Sequence, residues 1–358
     1  MSYGAEVVDR LTEWLHTQLP GTDGLRLEGV DRVEFGHSAE MMVLTIVSTA
    51  GRRDVVIRLR PPAPALLEPY DLAKQFTVLR ALEGSAVRVP RALWLEDTGA
   101  VLGRPFFVME RMPGTVYELE APSEPEVDPA GVTRMCLSMA EQLAAIHTVN
   151  VADARLDSLA DGLSHLDREI GHWSEEMQRV KRGTLPALER LLHELKASQP
   201  APSTAVTLVH GDAKPGNFAF VGGEVSAVFD WELTTIGDPM TDIGYLELLW
   251  CMPVGIPSHP AAPTIDDVVA HYATASGLTI ANREWYRAFN AFKLAVINLI
   301  GSRLFDDGAT DDQRFMLNAY GIPMFTQMGL AELGVSEPLD DGPVLPSEER
   351  MKQARATH

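Results

Sequence analysis

The sequence predicts an α+β protein of two unequal lobes, a small lobe built on an antiparallel sheet and a larger lobe that is mostly helical. Length is the first observation, because 358 residues are too many for one ordinary hydrophobic core. The second is a series of short strand-like runs, joined by short links, within the first 112 residues. The third is the helical periodicity of apolar residues that dominates the rest of the chain.

Residues 1–112 are predicted to form the N-terminal lobe. Its first element is an amphipathic helix over Val7–Leu19, which a Pro-Gly pair ends. A second helix is predicted over Tyr70–Leu82, with Gln75 on its apolar face. A further Pro-Gly pair ends the last strand-like run, so the lobe boundary is placed after residue 112. The predicted strands are Leu25–Arg32, Met41–Ser48, Arg53–Leu59, Val87–Leu95 and Pro105–Met112.

The C-terminal lobe is predicted over residues 113–333, and apolar residues at helical spacing define most of it. Asp238 followed by Pro239 indicates the start of a helix, with Asp242 in its first turn. Residues 334–358 are polar and contain proline, so we expect a loose tail. The other predicted helices are Val132–His147, two helices within Leu156–Ala197, Ile265–Ala275, Asn282–Phe305 and Asp311–Leu333.

Composition and missing motifs argue against several classes of protein. The chain has 50 acidic and 30 basic residues, and this net charge of −20 repels nucleic acid and anionic membranes. The two cysteines have neither metal-ligand nor redox spacing. A P-loop motif and a Rossmann fingerprint are both missing from the sequence. We expect a cytoplasmic protein with no nucleic-acid or membrane partner, and the sequence leaves its oligomeric state open.

The stretch from Val206 to Leu246 contains the candidate chemistry. A strand-like run over Thr207–Val209 ends at His210-Gly211-Asp212, which places an acid at the end of a strand. Two further strand-like runs flank Gly222-Gly223, a strong hairpin signal because both glycines tolerate positive φ. Asp230-Trp231-Glu232 follows the second of these runs.

The register of that hairpin predicts a metal site. If the turn has two residues, Asn217 lies opposite Val228, and Asp230 is its diagonal neighbour at roughly 7 to 8 Å. A carboxylate and an amide oxygen at this spacing suit Mg²⁺, which prefers few protein oxygen ligands and takes water and phosphate as the others. Asp212 approaches from the preceding loop. One acid for a proton and two oxygen ligands for a metal suit phosphoryl transfer.

These residues resemble the catalytic segment of the aminoglycoside phosphotransferase and choline kinase-like family, and Gly237-Asp238-Pro239 extends the resemblance. It implies a protein-kinase-like fold and a phosphotransferase that uses ATP and Mg²⁺ with an alcohol group as acceptor. Asp212 is then the catalytic base, and Asn217 and Asp230 are metal ligands. Glu232 is a further candidate ligand. The counterpart of Asp242 braces the catalytic loop in this family.

The same resemblance implies a set of cofactor-binding residues in the N-terminal lobe. Arg58 would reach the α- and β-phosphates, and Ser38 would lie in a turn that covers phosphate. The backbone groups of Glu110 and Met112 would bind adenine. Gln75 departs from the family, which usually has Glu there, but its amide can orient Arg58 by hydrogen bonding.

Two basic groups of the catalytic loop are assigned different roles. Lys214 is a candidate for steadying the transferring phosphate. His210 is expected to hold the loop backbone rather than to transfer a proton.

The nature of the acceptor stays open in the sequence. The stretch Val101–Phe106, with the Asp-Trp-Glu motif, looks most like the branch related to the kinase domain of acyl-CoA dehydrogenase fusion proteins. We therefore expect an ATP- and Mg²⁺-dependent kinase that acts on a small-molecule hydroxyl. One alternative is a hydroxyacyl-CoA kinase rather than an antibiotic kinase. The other is a catalytically inactive, nucleotide-binding pseudokinase, which Gln75 would favour.

Overall fold

The computed structural model describes residues 5–33, 40–123, 126–156, 159, 164–201, 205–337 and 339–351. Its contacts divide the chain into two compact units. Unit 1 comprises Met1–Thr115, Ala219–Val221 and Val225–Glu232, and unit 2 comprises the remaining residues. The sequence instead predicts that the last two segments of unit 1 belong to the C-terminal lobe. They belong to unit 1 through contacts such as the bond from the Val228 amide to the Arg88 carbonyl, 2.7 Å long.

Unit 1 is built on a five-stranded antiparallel sheet with the strand order β1-β2-β3-β5-β4. Helix α1 (Ala5–Gln18) precedes the sheet in sequence, and helix α2 (Leu72–Leu82) connects its third and fourth strands. The Asp71 side chain begins α2 by accepting a bond from the Lys74 amide. The strands are β1 (Arg26–Val33), β2 (Glu40–Ser48), β3 (Gly51–Leu59), β4 (Ala92–Glu96) and β5 (Phe106–Glu110).

Apolar alternation along the strands forms the core of unit 1. Val55, Ile57 and Leu59 of β3 are buried on one side of the central strand. Helix α1 covers this core with Leu11 and Leu15, which are fully buried and four residues apart on one face. Every predicted helix and strand of this unit is present, with bounds that differ by a few residues.

Unit 2 consists mainly of helices. Its longest is α8 (Arg283–Asp306), which packs against α6 and α9. Among the described residues α8 is the one helix long and apolar enough to cross a membrane. However, 72% of its apolar 18-residue stretch is buried inside the protein, so the helix is weak evidence for a membrane span. The other helices are α3 (Pro129–His147), α4 (His165–Val180), α5 (Pro186–Ala197), α6 (Met240–Trp250), α7 (Ile265–Ser276) and α9 (Gln313–Glu332).

Five short strands complete the β structure of the described residues. β7 (Thr207–Val209) pairs antiparallel with β10 (Thr235–Gly237). β6 (Thr115–Val116), β8 (Phe218–Val221) and β9 (Glu224–Val228) form a second small sheet in the order β6-β8-β9. The predicted two-residue turn at Gly222-Gly223 joins β8 to β9, and both glycines have positive φ.

The end of the chain differs from the expected loose tail. The carboxylate of Asp341 accepts bonds of 2.9 Å from the Ala187 and Leu188 amides, and it thereby caps the first turn of α5. Arg350 is buried and donates to the carbonyls of Phe305 and Thr310. Residues 339–351 are therefore anchored to unit 2. Sequence reasoning missed this because a polar segment can be held by exposed helix ends rather than by apolar burial.

Candidate active site

The His210-Gly211-Asp212 loop begins directly after β7, in unit 2. Gly211 has φ of +84°, and a Cβ atom at this position would collide with the Leu233 carbonyl. Only glycine fits both the backbone angle and the close approach. The hydroxyl of Thr234 donates to the Val209 carbonyl at 2.7 Å and fixes the strand end from which the loop leaves.

Asp242, in the first turn of α6, holds this loop through two backbone bonds. Its carboxylate is fully buried and accepts from the His210 amide at 2.7 Å and from the Gly211 amide at 2.8 Å. Nε2 of His147 lies 3.0 Å from the same carboxylate, and Nδ1 of His147 lies 2.6 Å from the Tyr272 hydroxyl. Burial alone would raise the pKa of Asp242, but the bond to His147 and the nearby amides bring it below its usual range. The predicted bracing role of Asp242 is confirmed.

Asp212 is held by hydrogen bonds to its carboxylate. Nδ2 of Asn217 donates to the Asp212 carboxylate at 2.7 Å and to its backbone carbonyl at 2.8 Å. The Tyr245 side chain also hydrogen-bonds the carboxylate. Burial would raise the pKa of Asp212, yet the positive charge of Lys214 and these bonds lower it. The carboxylate is therefore ionised at neutral pH and able to accept a proton.

The two basic side chains of the loop have different partners. Nδ1 of His210 accepts a bond of 3.2 Å from the Asp212 amide, so His210 holds the loop backbone as expected. Nζ of Lys214 lies 3.0 Å from Oε1 of Glu118 in the same unit. This ion pair places the Lys214 cation near Asp212.

Arg58 is the centre of the candidate site in unit 1. Its Nη2 lies 2.6 Å from Oδ1 of Asp230 and 3.0 Å from Oε2 of Glu232, and its Nε donates to the Tyr70 hydroxyl at 3.2 Å. Arg58 is buried at the end of β3. Burial would lower the pKa of its guanidinium, but Asp230, Tyr70 and Glu232 raise it above the ordinary value. Arg58 is therefore a permanent cation between two carboxylates.

The backbone at Asp230 is strained, with φ of +64° at a residue that is not glycine. Residues in this region of conformational space cluster at functional sites. The carboxylates of Asp230 and Glu232 converge on one guanidinium nitrogen, which shows that both are aimed at one positive charge. Oxygen donors of this kind fit Mg²⁺. No cluster of three or more His, Cys, Asp or Glu side chains suited to a metal occurs among the described residues.

Gln75 does not orient Arg58, contrary to the expectation from sequence. The hydrogen bonds that Arg58 makes to described residues go to Tyr70, Asp230 and Glu232. Gln75 is buried, and its Nε2 has no hydrogen-bond partner in the part of the chain that the structure describes. Gln75 instead lines a cavity of about 50 Å³ with mostly apolar walls. The hydroxyl of Tyr70, two residues before α2, accepts the bond from Arg58 instead.

Two of the three remaining predicted cofactor-binding residues, Glu110 and Met112, lie within the described residues. Glu110 is exposed at the end of β5, and its amide donates to the Arg91 carbonyl at 2.9 Å. A ligand could therefore use only the Glu110 carbonyl. Met112 is half-buried between β5 and β6. Ser38 lies outside the described residues.

Four residues of these networks carried no functional signal in the sequence. Each is an aromatic or basic residue at helical spacing or next to a helix. In a sequence, such positions are typical of residues that pack in the hydrophobic core. They are Tyr70, His147, Tyr245 and Tyr272.

Comparison with known proteins places the chain in a class. The family model described as the phosphotransferase enzyme family matches residues 43–289. Mouse acyl-CoA dehydrogenase family member 10 is 31% identical over 258 residues, which are 68% of this chain and 24% of that protein. Mouse acyl-CoA dehydrogenase family member 11 is 27% identical over 335 residues, 89% of this chain and 42% of that protein. The chain thus spans less than half the length of these relatives.

Two solved structures show the fold. A protein of Ralstonia eutropha designated as an aminoglycoside phosphotransferase has a TM-score of 0.74 at 24% identity, over 91% of this chain and 98% of its own. A mutant aminoglycoside phosphotransferase in ternary complex with ADP and hygromycin B has a TM-score of 0.60 at 14% identity, over 91% and 98%. The fold and site define a protein-kinase-like phosphotransferase. The chain belongs to the phosphotransferase enzyme family.

Proposed function

We propose that the protein is an ATP- and Mg²⁺-dependent kinase that transfers the γ-phosphate to the hydroxyl of a small molecule. One observation carries this proposal: the Asp212 carboxylate is half-buried, has a lowered pKa, and is held by Asn217 and Tyr245 in the loop that follows β7. An ionised acid that is partly withdrawn from water is costly to maintain unless it is used or paired. The site lies within the stretch that matches the phosphotransferase family.

In the proposed reaction Asp212 accepts the proton of the substrate hydroxyl. The hydroxyl oxygen forms a bond to the γ-phosphorus, while the bond from that phosphorus to the β,γ-bridging oxygen breaks. ADP leaves with that electron pair. Catalysis of this kind depends mostly on positioning and charge neutralisation, and the bonds from Asn217 and Tyr245 supply the positioning of the base.

The other predicted residues are assigned to the nucleotide and its metal. Asn217, Asp230 and Glu232 are the proposed magnesium ligands, and a bound Mg²⁺ would neutralise charge on the phosphate oxygens. We assign Arg58 and Lys214 to the phosphates, because both are cations beside acidic groups of the site. The Glu110 carbonyl and the Met112 backbone are assigned to adenine. The ADP complex of the structural neighbour supports a nucleotide cofactor here.

The acceptor proposed for first testing is a hydroxyacyl thioester. The two mouse relatives with acyl-CoA dehydrogenase names match 68% and 89% of this chain, whereas a viomycin phosphotransferase of Streptomyces vinaceus matches 46% of it at 29% identity. We also propose a cytoplasmic location, as the sequence predicts.

Gln75 favours the alternative of an inactive pseudokinase. That alternative, however, gives no reason for the hydrogen bonds that hold Asp212.

Calorimetric titration with ATP, with and without Mg²⁺, tests the cofactor assignment. We expect binding that requires Mg²⁺ and that weakens about tenfold or more in Asp230→Asn, because the variant loses a carboxylate ligand. Asp9→Asn, at an exposed position of α1, is the matched control and should bind as the parent protein does. Mg²⁺-independent binding, or equal affinities for both variants, would contradict the assignment.

A further inference from the structure

Lys293 of α8 is a buried cation with no role in the proposed chemistry. It is 1% exposed, and its Nζ donates to the Gly211 carbonyl at 2.5 Å. The ammonium lies 5.6 Å from the ring centroid of Trp173 and 5.3 Å from that of Tyr245. Burial lowers the pKa of Lys293, while the charges of Glu169, Asp212 and Asp242 oppose that shift.

The Gly211 carbonyl and the Asp212 amide belong to one planar peptide unit. Lys293 holds the carbonyl of this unit, and Nδ1 of His210 holds its N–H at 3.2 Å. Asp242 holds the preceding amide, that of Gly211, at 2.8 Å. The peptide that leads into Asp212 is therefore fixed at both ends, and its orientation helps to set the direction of the Asp212 side chain.

Tyr245 of α6 connects the cation to the base itself. Its ring lies against the Lys293 ammonium, and its side chain hydrogen-bonds the Asp212 carboxylate. Tyr245 is buried, so both contacts are shielded from water. One helix thus holds the carboxylate of Asp212, and the neighbouring helix holds the backbone that carries it.

We propose that Lys293 and Tyr245 are positioning residues for Asp212, Lys293 through the Gly211 carbonyl and Tyr245 through the carboxylate. The expected effect on kcat rests on the proposed function, whereas the expected effect on the His210-Gly211-Asp212 loop does not. A lysine that served only to fill the core would leave the loop and the turnover number unchanged once the protein is folded.

The test compares Lys293→Met with the parent protein and with Lys196→Met, an exposed lysine of α5. Methionine keeps the length of the side chain and removes its donor and charge. We expect amide hydrogen exchange in residues 210–213 to become about tenfold faster, with no change in α9. We expect kcat to fall about tenfold or more, while KM for ATP stays within about twofold. Lys293→Arg, which keeps a donor, should restore part of kcat.

A second variant covers the case in which Lys293→Met does not fold. Tyr245→Phe keeps the ring beside Lys293 and removes only the hydroxyl, and Tyr320→Phe on the exposed face of α9 is its control. We expect kcat to fall about tenfold in Tyr245→Phe with KM for ATP unchanged.

The outcomes separate this inference from the proposed function. Unchanged exchange at residues 210–213 in a folded Lys293→Met variant, or unchanged kcat in both variants, would overturn the inference. A parent protein without phosphoryl transfer would overturn the proposed function instead. The exchange measurement would then still decide whether Lys293 holds the loop.

Discussion

Two carboxylates of unit 1, Asp230 and Glu232, share one guanidinium group, and that group has almost no access to water. Arg58 is 7% exposed, so its positive charge is stable there only because these acids and the Tyr70 hydroxyl are within hydrogen-bond distance. The dependence is mutual, because the side chain of Glu232 is also buried. Removal of the cation would leave two negative charges facing each other.

We therefore expect Arg58→Met to destabilise the protein. Loss of one partner of a buried ion pair costs about 3 kcal/mol or more, and the partial exposure of Asp230 reduces this toward about 2 kcal/mol. Urea unfolding measures the change. Arg52→Met, which removes an exposed ion pair with Glu28, is the control and should cost at most about 1 kcal/mol. Equal losses in the two variants would show that the Arg58 cluster adds no stability.

At the level of elements, the start of α6 is where unit 2 supports its catalytic loop. The helix begins at Met240, one residue later than the sequence indicates, although the Asp238 carboxylate still accepts from the Met240 amide at 3.0 Å. Asp242 in the first turn then reaches back to the amides of His210 and Gly211. Because its position near the helix N-terminus also favours a negative charge, the bracing depends on ionisation of Asp242.

The lowered pKa of Asp242 predicts how stability changes with pH. Its pKa is below the unfolded value of about 3.8, so the folded state binds fewer protons and the Asp242 charge stabilises it above that pH. This contribution is lost as pH falls through the folded pKa. We expect Asp242→Asn to be less stable than the parent protein at pH 7, and the difference to shrink below pH of about 4.

Urea unfolding of both proteins between pH 7 and about pH 3 checks this expectation. Asp266→Asn, at an exposed position of α7, is the control for removal of a carboxylate. A stability difference between the Asp242 variant and the parent that stays constant over this range would contradict the assigned linkage.

For the whole molecule, the sequence predicts local structure and the catalytic motif better than it predicts long-range partners. The α+β architecture and the Gly222-Gly223 hairpin follow from periodicity and turn chemistry, and the structure confirms both. The bracing by Asp242 is also confirmed, because it follows a family motif. The contact of Arg58 with Tyr70 and the contact of Lys293 with Gly211 join residues 12 and 82 positions apart, and no local pattern records them.

The same reason explains the errors. Gln75 was expected to bond Arg58 because both lie where the family has an ion pair, yet the competing Tyr70 hydroxyl and two carboxylates satisfy the guanidinium. The tail was expected to be loose because it is polar, yet Arg350 binds carbonyls at the end of α8 and beyond it. Residue propensity and hydrophobic periodicity describe local structure, so they do not predict polar contacts between residues that only the tertiary structure brings together.

The central claim is that Asp212 is the base of a phosphoryl transfer, and transfer from γ-labelled ATP to a panel of hydroxylated acceptors, hydroxyacyl thioesters first, tests it most directly. We expect transfer by the parent protein and a fall in kcat of about 100-fold or more in Asp212→Asn, because the amide cannot accept the proton. ATP affinity should stay within about threefold. Turnover in Asp212→Asn equal to that of the parent protein would contradict the account.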